Sequence, residues 1–290
     1  MKINGNTRTC GLIGNPVEHT MSPAIHNTLA KAMGENLVYV PFHVREGCLE
    51  DAVRGAYGLN LLGLNVTVPY KSQVIPFLKE IDPLAQTIGA VNTLVRVEGG
   101  YKGYNTDMPG LYCAMCKDGV SIEGEKVLIL GAGGVARAVA ILTAKKGAAE
   151  IILLNRTVER AVQVAKEVNV LTGRSAARAM SLEDYVSLPE GEKYLAIQAT
   201  NVGMFPDTEK AVIEDKEFYK KVHTGYDLIF NPARTRFMAL VQENGGRAYN
   251  GLKMLLYQGV IAYEYWVGRQ VEEALLQMAY EEMKRAMNLL

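Results

Sequence analysis

The sequence has no excess of charge of either sign, because its 31 lysines and arginines are matched by 31 aspartates and glutamates. No bulk electrostatic field therefore attracts the chain to nucleic acid or to an anionic membrane. No apolar run reaches the roughly 18–20 residues that a membrane-spanning helix needs, and the opening segment MKINGNTRTCGLIG lacks the apolar core of a signal peptide. These absences predict a cytoplasmic protein that binds neither nucleic acid nor membranes.

Cysteine is also scarce, with four residues at positions 10, 48, 113 and 116. Only Cys113 and Cys116 have a suggestive C-x-x-C spacing. A single such pair, without a second pair or a histidine couplet, is a weak indication of a metal site. The sequence predicts ordinary reduced thiols on a helix and no metal.

Short β-rich runs alternate with helical patterns along most of the chain. The first series contains TCGLIG, LVYVPFHV, LLGLNVTVP and AVNTLVRV as strands, with Ser22 and Pro23 predicted to cap and begin a helix. Gly99 and Gly100 predict a hairpin turn. A second series, with strands KVLILG, EIILLN, YLAIQAT and YDLIF, starts at Lys126. Strands alternating with helices indicate parallel sheets, so two series predict two α/β domains.

The C-terminal segment from Lys253 onward has no strand pattern and predicts two helices split near Gly268. The boundary between the domains is predicted in NTDMPGL, where Pro109 and Gly110 interrupt the preceding pattern.

The segment LILGAGGVARAVA has glycine at 131 and 133 and alanine at 136, directly after a strand and before a helix. This G-x-G-x-x-A spacing is typical of a Rossmann-type dinucleotide-binding domain. The first glycine permits a tight turn, the second lets the backbone approach a pyrophosphate, and the small third residue lets helix and strand pack closely. The sequence therefore predicts a dinucleotide cofactor.

The end of the next strand distinguishes the two common dinucleotides. NAD enzymes usually have an acidic residue there for the ribose hydroxyls. This chain instead has Asn155, Arg156 and Thr157, with Arg160 one turn later. Because a guanidinium can bind a 2′-phosphate through two hydrogen bonds, the predicted cofactor is NADP. Arg156 as a solvated residue at a helix start is the alternative.

Polar residues follow several predicted strands of the first series, at the positions where ligands of parallel sheets bind. They are Thr20, Ser22, Thr67, Lys71, Asn92 and Asp107. Each has an ordinary alternative, such as a helix cap for Ser22, a turn for Asn92 and a surface charge for Lys71. Together their hydroxyls, amide, ammonium and carboxylate would suit a polyhydroxylated acid as substrate.

Eight ordered segments, GNPVEHTMSPAIHN, NVTVPYK, GAVNT, NTD, GAGGVARA, NRTVER, YDLIFNPARTRF and GLKMLLYQG, resemble the motifs of the shikimate dehydrogenase family, which includes quinate/shikimate dehydrogenases. The resemblance extends from about Cys10 to Gly268. It implies NADP(H)-dependent interconversion of 3-dehydroshikimate and shikimate, on the pathway to chorismate and the aromatic amino acids. It also implies that residues 1–107 and 252–290 form a substrate-binding domain with a mainly parallel sheet, and that residues 108–251 form the NADP-binding domain.

The resemblance assigns a role to each matching residue. It implies a catalytic dyad of Lys71 and Asp107. The implied substrate contacts are Thr20, Ser22, Thr67, Asn92, Tyr226 and Gln258. The implied cofactor contacts are Gly131, Ala132, Gly133, Gly134, Val135, Ala136, Asn155, Arg156, Thr157, Arg160 and Gly251.

The sequence departs from the family pattern at three positions. Thr20 stands where shikimate-specific members usually have serine, Gln198 replaces an asparagine, and Lys253 replaces a glycine. Lys253 is predicted either as a solvated residue at a helix start or as a cation near the nicotinamide. The additional methyl of Thr20 leaves a quinate or dual-specificity dehydrogenase as an alternative.

A non-catalytic NADP-sensing regulator is the third hypothesis, although the intact dyad argues against it. The chain is expected to act as a monomer or a homodimer on a small-molecule substrate.

Overall fold

A computed structural model describes residues 3–289. Its strands are β1 (Arg8–Gly14), β2 (Leu37–His43), β3 (Gly63–Val66), β4 (Glu80–Ile81), β5 (Thr93–Val97), β6 (Gly100–Tyr104), β7 (Lys126–Leu130), β8 (Glu150–Asn155), β9 (Ala177–Ser181), β10 (Tyr194–Gln198), β11 (Val222–Asp227) and β12 (Arg247–Tyr249). Its α-helices are α1 (Ser22–Ala32), α2 (Leu49–Gly58), α3 (Pro83–Ile88), α4 (Asp107–Lys117), α5 (Gly134–Lys145), α6 (Val158–Thr172), α7 (Lys216–Tyr219), α8 (Arg236–Glu243), α9 (Leu252–Val267) and α10 (Glu273–Ala286).

The chain divides into two compact units. Unit 1 comprises the residues up to Gly110 and those from Leu256 onward, and unit 2 comprises Leu111–Leu255. Both crossings fall inside helices, α4 and α9, and not in loops. Pro109 does not interrupt the pattern as expected, because it occupies the first turn of α4, where the missing N–H of proline costs no helical hydrogen bond. The predicted boundaries after residues 107 and 251 stay a prediction.

Unit 1 has a mixed sheet in the order β2-β1-β3-β5-β6-β4. The pairs β1–β2, β1–β3 and β4–β6 are parallel, and the pairs β3–β5 and β5–β6 are antiparallel. The hairpin predicted at Gly99 joins β5 to β6, with Gly99 at φ +80°, a backbone region that glycine enters without strain.

Helices cover the sheet of unit 1. One apolar cluster includes Val53 and Ala56 of α2 together with Leu64 and Leu94 of the sheet. Helix α10 packs on α1, and the indole N–H of Trp266 in α9 donates to the carbonyl of Leu94 at 2.9 Å. Burial of these apolar surfaces supplies the main stabilisation of the unit.

Unit 2 has an entirely parallel sheet in the order β12-β11-β10-β7-β8-β9. This is the Rossmann arrangement, in which the first strand, β7, lies at the centre and the strand order reverses between β7 and β10. The predicted fold class, two α/β domains of which one is Rossmann-type, is confirmed. Strands β7, β8 and β10 are buried along most of their length, as expected for a sheet with helices on both faces.

Several local predictions need correction. Ser22 is the first residue of α1 and does not cap it, because Met21 occupies the N-cap position. The strand predicted over YDLIF begins earlier, at Val222, and ends at Asp227. The helices α2 and α3 and the strands β4, β9 and β12 were not predicted. No helix among residues 3–289 is both long and apolar enough to cross a membrane.

Candidate functional site

The topology of unit 1 brings four polar segments to one edge of its sheet. Because β1 and β3 are parallel neighbours, the loops that carry Thr20 and Thr67 follow adjacent strand ends. Strand β5 is antiparallel to β3, so Asn92 precedes it at the same edge. Strand β6 reverses again, and Asp107 follows its end as the first residue of α4.

Lys71 and Asp107 form an ion pair at this edge, with 2.7 Å between Nζ and Oδ2. The Asn92 amide donates to the other carboxylate oxygen, Oδ1, at 2.9 Å. Gln258 of α9 lies beside it, with its Oε1 3.5 Å from Asn92 Nδ2. The Lys71 and Asp107 side chains are 33% and 18% exposed, so the pair is sheltered and still accessible to a ligand. The structure thus brings four predicted site residues into one cluster.

The remaining predicted residues of unit 1 are Thr20 in the loop after β1, Ser22 at the start of α1 and Thr67 in the loop after β3. The Thr20 hydroxyl accepts a hydrogen bond from the Ser22 N–H at 3.2 Å. The Thr67 N–H donates to the Ile13 carbonyl at 2.9 Å, and its methyl fills the space where a side chain at Gly14 would lie. Their contacts with a substrate stay a prediction.

Buried polar residues beneath the cluster were missed by the sequence reasoning. Asn65, Thr93 and Thr106 are all nearly inaccessible to solvent and hydrogen-bond to Asn92 or to one another. They belong to the motifs NVTVP, GAVNT and NTD. For Asn65 and Thr93 the signal was a polar residue in an otherwise apolar strand, whereas Thr106 lies between β6 and α4 and gave no such signal.

His26 is also buried in unit 1, stacked on Tyr39 with ring centroids 4.2 Å apart. Burial lowers the pKa of His26 to about 3, although Asn65 opposes the shift. The imidazole is therefore neutral at physiological pH, and this favours Lys71 over His26 as a proton donor.

The glycine turn of unit 2 has the predicted geometry. Gly131 has φ +117°, a region closed to most other residues, and a side chain there would meet the Thr200 methyl at 2.8 Å. Gly133 caps α5, and a side chain at Gly133 or Gly134 would meet no atom within 4 Å. Ala136 is fully buried. Open space above two glycines at a helix N-terminus fits a pyrophosphate.

The predicted 2′-phosphate site adjoins this turn, because β8 pairs with β7 and the Leu154 carbonyl accepts a hydrogen bond from the Gly131 N–H at 2.8 Å. The Asn155 amide donates to the Thr157 carbonyl at 2.8 Å and holds the loop after β8. Arg156 and Arg160 are exposed. Within residues 3–289 neither guanidinium has an ion-pair partner, so both are available for an anionic ligand.

The segment after β10 borders the point where the strand order reverses, and it was not predicted as part of the site. Gln198, one of the departures from the family pattern, is fully buried there. Its Oε1 accepts hydrogen bonds from the Thr200 N–H at 2.6 Å and the Thr200 hydroxyl at 2.7 Å. Its amide donates to the Val202 carbonyl at 3.1 Å. Gln198 therefore fixes the loop that lies next to Gly131.

Gly251 lies between β12 and α9, and its N–H donates to the Ile229 carbonyl at 2.9 Å. A side chain at this position would overlap the Leu228 carbonyl oxygen. Because the Leu228 oxygen approaches so closely, only glycine fits at position 251, and the residue lies beside the end of β11.

Tyr226 and Lys253 share one partner in unit 2, Asp118. The Tyr226 ring is fully buried and its hydroxyl donates to Asp118 at 3.1 Å. The Lys253 ammonium forms an ion pair with the same carboxylate. Lys253 is thus not merely a solvated residue at a helix start. The predicted substrate contact of Tyr226 and the predicted nicotinamide contact of Lys253 stay predictions.

The cysteines of the C-x-x-C pair, Cys113 and Cys116, lie on α4, as expected, and form no disulfide with each other. Within the described part of the chain no group of three or more His, Cys, Asp or Glu side chains could hold a metal.

Comparison with known proteins identifies the family. The model of the shikimate dehydrogenase substrate binding domain matches residues 12–94, that of shikimate / quinate 5-dehydrogenase matches residues 114–192, and that of the shikimate 5′-dehydrogenase C-terminal domain matches residues 251–287. The chain belongs to the shikimate dehydrogenase family. A shikimate dehydrogenase (NADP(+)) of Carboxydothermus hydrogenoformans is 42% identical over 92% of this chain and 94% of its own.

Solved structures of the family share the fold. A crystal structure of a shikimate dehydrogenase in complex with NADP+ has a TM-score of 0.89 at 35% identity, covering 98% of this chain and 97% of its own. A shikimate 5-dehydrogenase from Listeria monocytogenes, in complex with shikimate and NAD, has a TM-score of 0.88 at 32% identity, covering 96% of this chain and 97% of its own. Members of the family thus hold both substrate and dinucleotide on this architecture.

Proposed function

We propose that the protein catalyses the reversible NADP(H)-dependent reduction of 3-dehydroshikimate to shikimate, a reaction of the pathway to chorismate and the aromatic amino acids. The observation that carries the proposal is the sheltered Lys71–Asp107 pair, held by Asn92 at the strand ends of a unit that matches the family's substrate-binding domain. Reduction of a carbonyl needs a proton donor beside the oxygen, and an ammonium held by a carboxylate and an amide can fill that role.

Unit 2 would hold the cofactor. The backbone of the Gly131–Ala136 turn would bind the pyrophosphate at the N-terminus of α5, and the loop after β8 would bind the 2′-phosphate through Arg156 and Arg160. Asn155, Thr157 and Gly251 would complete the contacts. When bound, NADPH supplies the hydride that reduces the ring carbonyl.

Lys71 is the proton-transfer group in this proposal. As the carbonyl oxygen gains negative charge, the Nζ ammonium donates a proton to it, and in the reverse direction the neutral amine takes the proton back. Asp107 accepts a hydrogen bond from Lys71 and so fixes the direction of the ammonium. The substrate hydroxyls can hydrogen-bond to Asp107 in addition, because the pair is partly open to solvent.

The other polar residues would bind the substrate itself. Thr20 and Ser22 offer hydroxyls to the carboxylate, and Thr67, Asn92 and Gln258 offer hydrogen bonds to the ring hydroxyls. Tyr226 would contact the substrate as the family pattern implies. The cytoplasmic location and a monomeric or homodimeric state are part of the same proposal.

Steady-state kinetics with shikimate and quinate, each with NADP and with NAD, test the proposal. We expect the highest kcat/KM for shikimate with NADP. A higher value for quinate would support the quinate or dual-specificity alternative, and Thr20→Ser is the matched variant, since it removes only the methyl. NAD is included because a family member has been crystallised with it. Measurable NADP binding without turnover of either acid would refute the proposal in favour of a sensor.

A further inference from the structure

A chain of buried polar side chains lies beneath the Lys71–Asp107 pair of unit 1. It consists of Tyr39, Asn65, Thr93 and Thr106, each at most 4% exposed. Buried polar groups are costly unless hydrogen-bonded, so a continuous chain of this kind fixes the orientation of its members.

The backbone carbonyl of Asn92 determines which way the side-chain amide of Asn65 points. That carbonyl can only accept, so the Asn65 atom 3.2 Å from it is the donor Nδ2. Asn65 Oδ1 consequently faces the Tyr39 hydroxyl at 2.7 Å, and the hydroxyl must donate. Burial raises the pKa of Tyr39 well above its ordinary value, although Ser22 opposes the shift, so the phenol keeps the proton that it donates.

The N–H of Thr106 determines the orientation of the Asn92 amide. A backbone N–H can only donate, so the Asn92 atom 2.7 Å from it is the acceptor Oδ1. Thr93 Oγ1 accepts from Asn65 Nδ2 at 3.1 Å, which leaves its own proton for Asn92 Oδ1 at 3.2 Å. The Thr106 hydroxyl lies 3.2 Å from the same oxygen and accepts a hydrogen bond from Asn92 Nδ2 at 3.0 Å, so it engages both ends of the amide. With Oδ1 engaged by these donors, Nδ2 is turned toward Asp107.

We propose that Thr93 and Thr106 are positioning residues that lock the Asn92 amide so that its N–H donates to Asp107 and thereby holds the Lys71–Asp107 pair. This inference rests on the proposed function. The Thr106 N–H, which a side-chain substitution keeps, already prevents reversal of the Asn92 amide. The two hydroxyls restrict its remaining rotation, so that Nδ2 stays within 2.9 Å of Asp107 Oδ1.

The double variant Thr93→Val/Thr106→Val tests the inference, because valine keeps the shape of threonine and removes the hydroxyl. We expect kcat to fall about tenfold, the order of the net value of one hydrogen bond. The KM for NADP should stay within about twofold, because its predicted ligands lie in unit 2.

Two controls separate hydroxyl loss from packing. Thr93→Ser/Thr106→Ser keeps both hydroxyls and removes the methyls, so kcat should stay near that of the wild type. Thr143→Val removes a buried hydroxyl that donates to the Ala140 carbonyl within α5, and it should leave kcat unchanged. Serine variants that lose as much kcat as the valine variant, or a valine variant that keeps the kcat of the wild type, would overturn the inference.

The side-chain amide resonances of Asn92 give a readout that needs no turnover. Their nitrogen–proton signals, assigned by their loss in Asn92→Ala, should be sharp in the wild type and in the serine variant, and broadened or shifted in the valine variant. Unchanged signals in a folded valine variant would overturn the positioning role. A wild type that turns over neither acid but shows the expected spectral change would refute the proposed function alone.

Discussion

Replacement of Asp227 by asparagine should abolish a specific pH dependence of stability. Asp227 ends β11 and is fully buried. Its Oδ1 accepts the Ile229 N–H at 3.0 Å and its Oδ2 accepts the Thr235 hydroxyl at 2.6 Å. Burial raises the pKa of Asp227 from 3.8 to about 6, although both hydrogen bonds oppose the shift. The carboxyl is therefore protonated in mildly acidic solution, where the same group in an unfolded chain is already ionised.

The magnitude follows from that shift. A change of about 2 pH units at about 1.4 kcal/mol per unit corresponds to about 3 kcal/mol. Because the folded pKa lies above the unfolded value, this contribution is fully present below about pH 4 and is lost as the pH rises through about 6. The side-chain amide of the Asp227→Asn variant does not titrate, so its free energy of unfolding lacks this pH-dependent loss. The altered hydrogen bonds change that free energy by an amount that does not depend on pH.

Urea denaturation of the wild type and Asp227→Asn between pH 4.5 and 7.5 measures the effect. The difference in free energy of unfolding should change by about 2 kcal/mol in favour of the variant over this range, because part of the loss has already occurred at pH 4.5. Because the two proteins are compared at each pH, the contributions of groups that titrate alike in both cancel. A difference that stays constant across this range would refute the assignment of the raised pKa to Asp227.

Three further perturbations test the site and its surroundings. Lys71→Met should lower kcat by roughly 10²–10⁴ while NADP binding survives; a change of only a few-fold in kinetic assays would exclude Lys71 as the proton-transfer group. Arg156→Ala should raise the KM for NADP roughly tenfold or more and leave that for NAD nearly unchanged, since a charge-assisted hydrogen bond to the 2′-phosphate is lost; equal effects on both cofactors would contradict this. Lys253→Met should lower the free energy of unfolding by about 1–3 kcal/mol, because the Asp118 carboxylate, 7% exposed, loses its cation. Adding Asp118→Asn should restore part of that loss, and thermal or urea denaturation showing no recovery would argue against the ion pair.

The positions of the helices and strands were mostly predictable where the local pattern was strong. Strand β8, for example, coincides with the predicted segment EIILLN. The short elements β4, β9 and β12 were missed, because two to five residues carry too little periodicity to be distinguished from a loop. Ser22 was assigned to the wrong helix position because N-cap preferences are statistical, and the boundary depends on the backbone of Met21.

The sequence by itself determined the cofactor turn, since its requirements are local. A positive φ at Gly131 and open space above Gly133 need glycine whatever surrounds them, so residue type and spacing were sufficient. The exposed Arg156 also needs no distant partner to suit a phosphate.

Only the tertiary structure decided what surrounds the dyad and Lys253. The pair Lys71–Asp107 joins residues 36 positions apart, Tyr39 and Asn65 are 26 apart, and Lys253 meets Asp118 across 135 positions. Such contacts depend on which strand ends and helices the fold brings together, and no local pattern encodes them. Whether a polar side chain is a solvated surface group or a buried positioning residue is therefore set by packing.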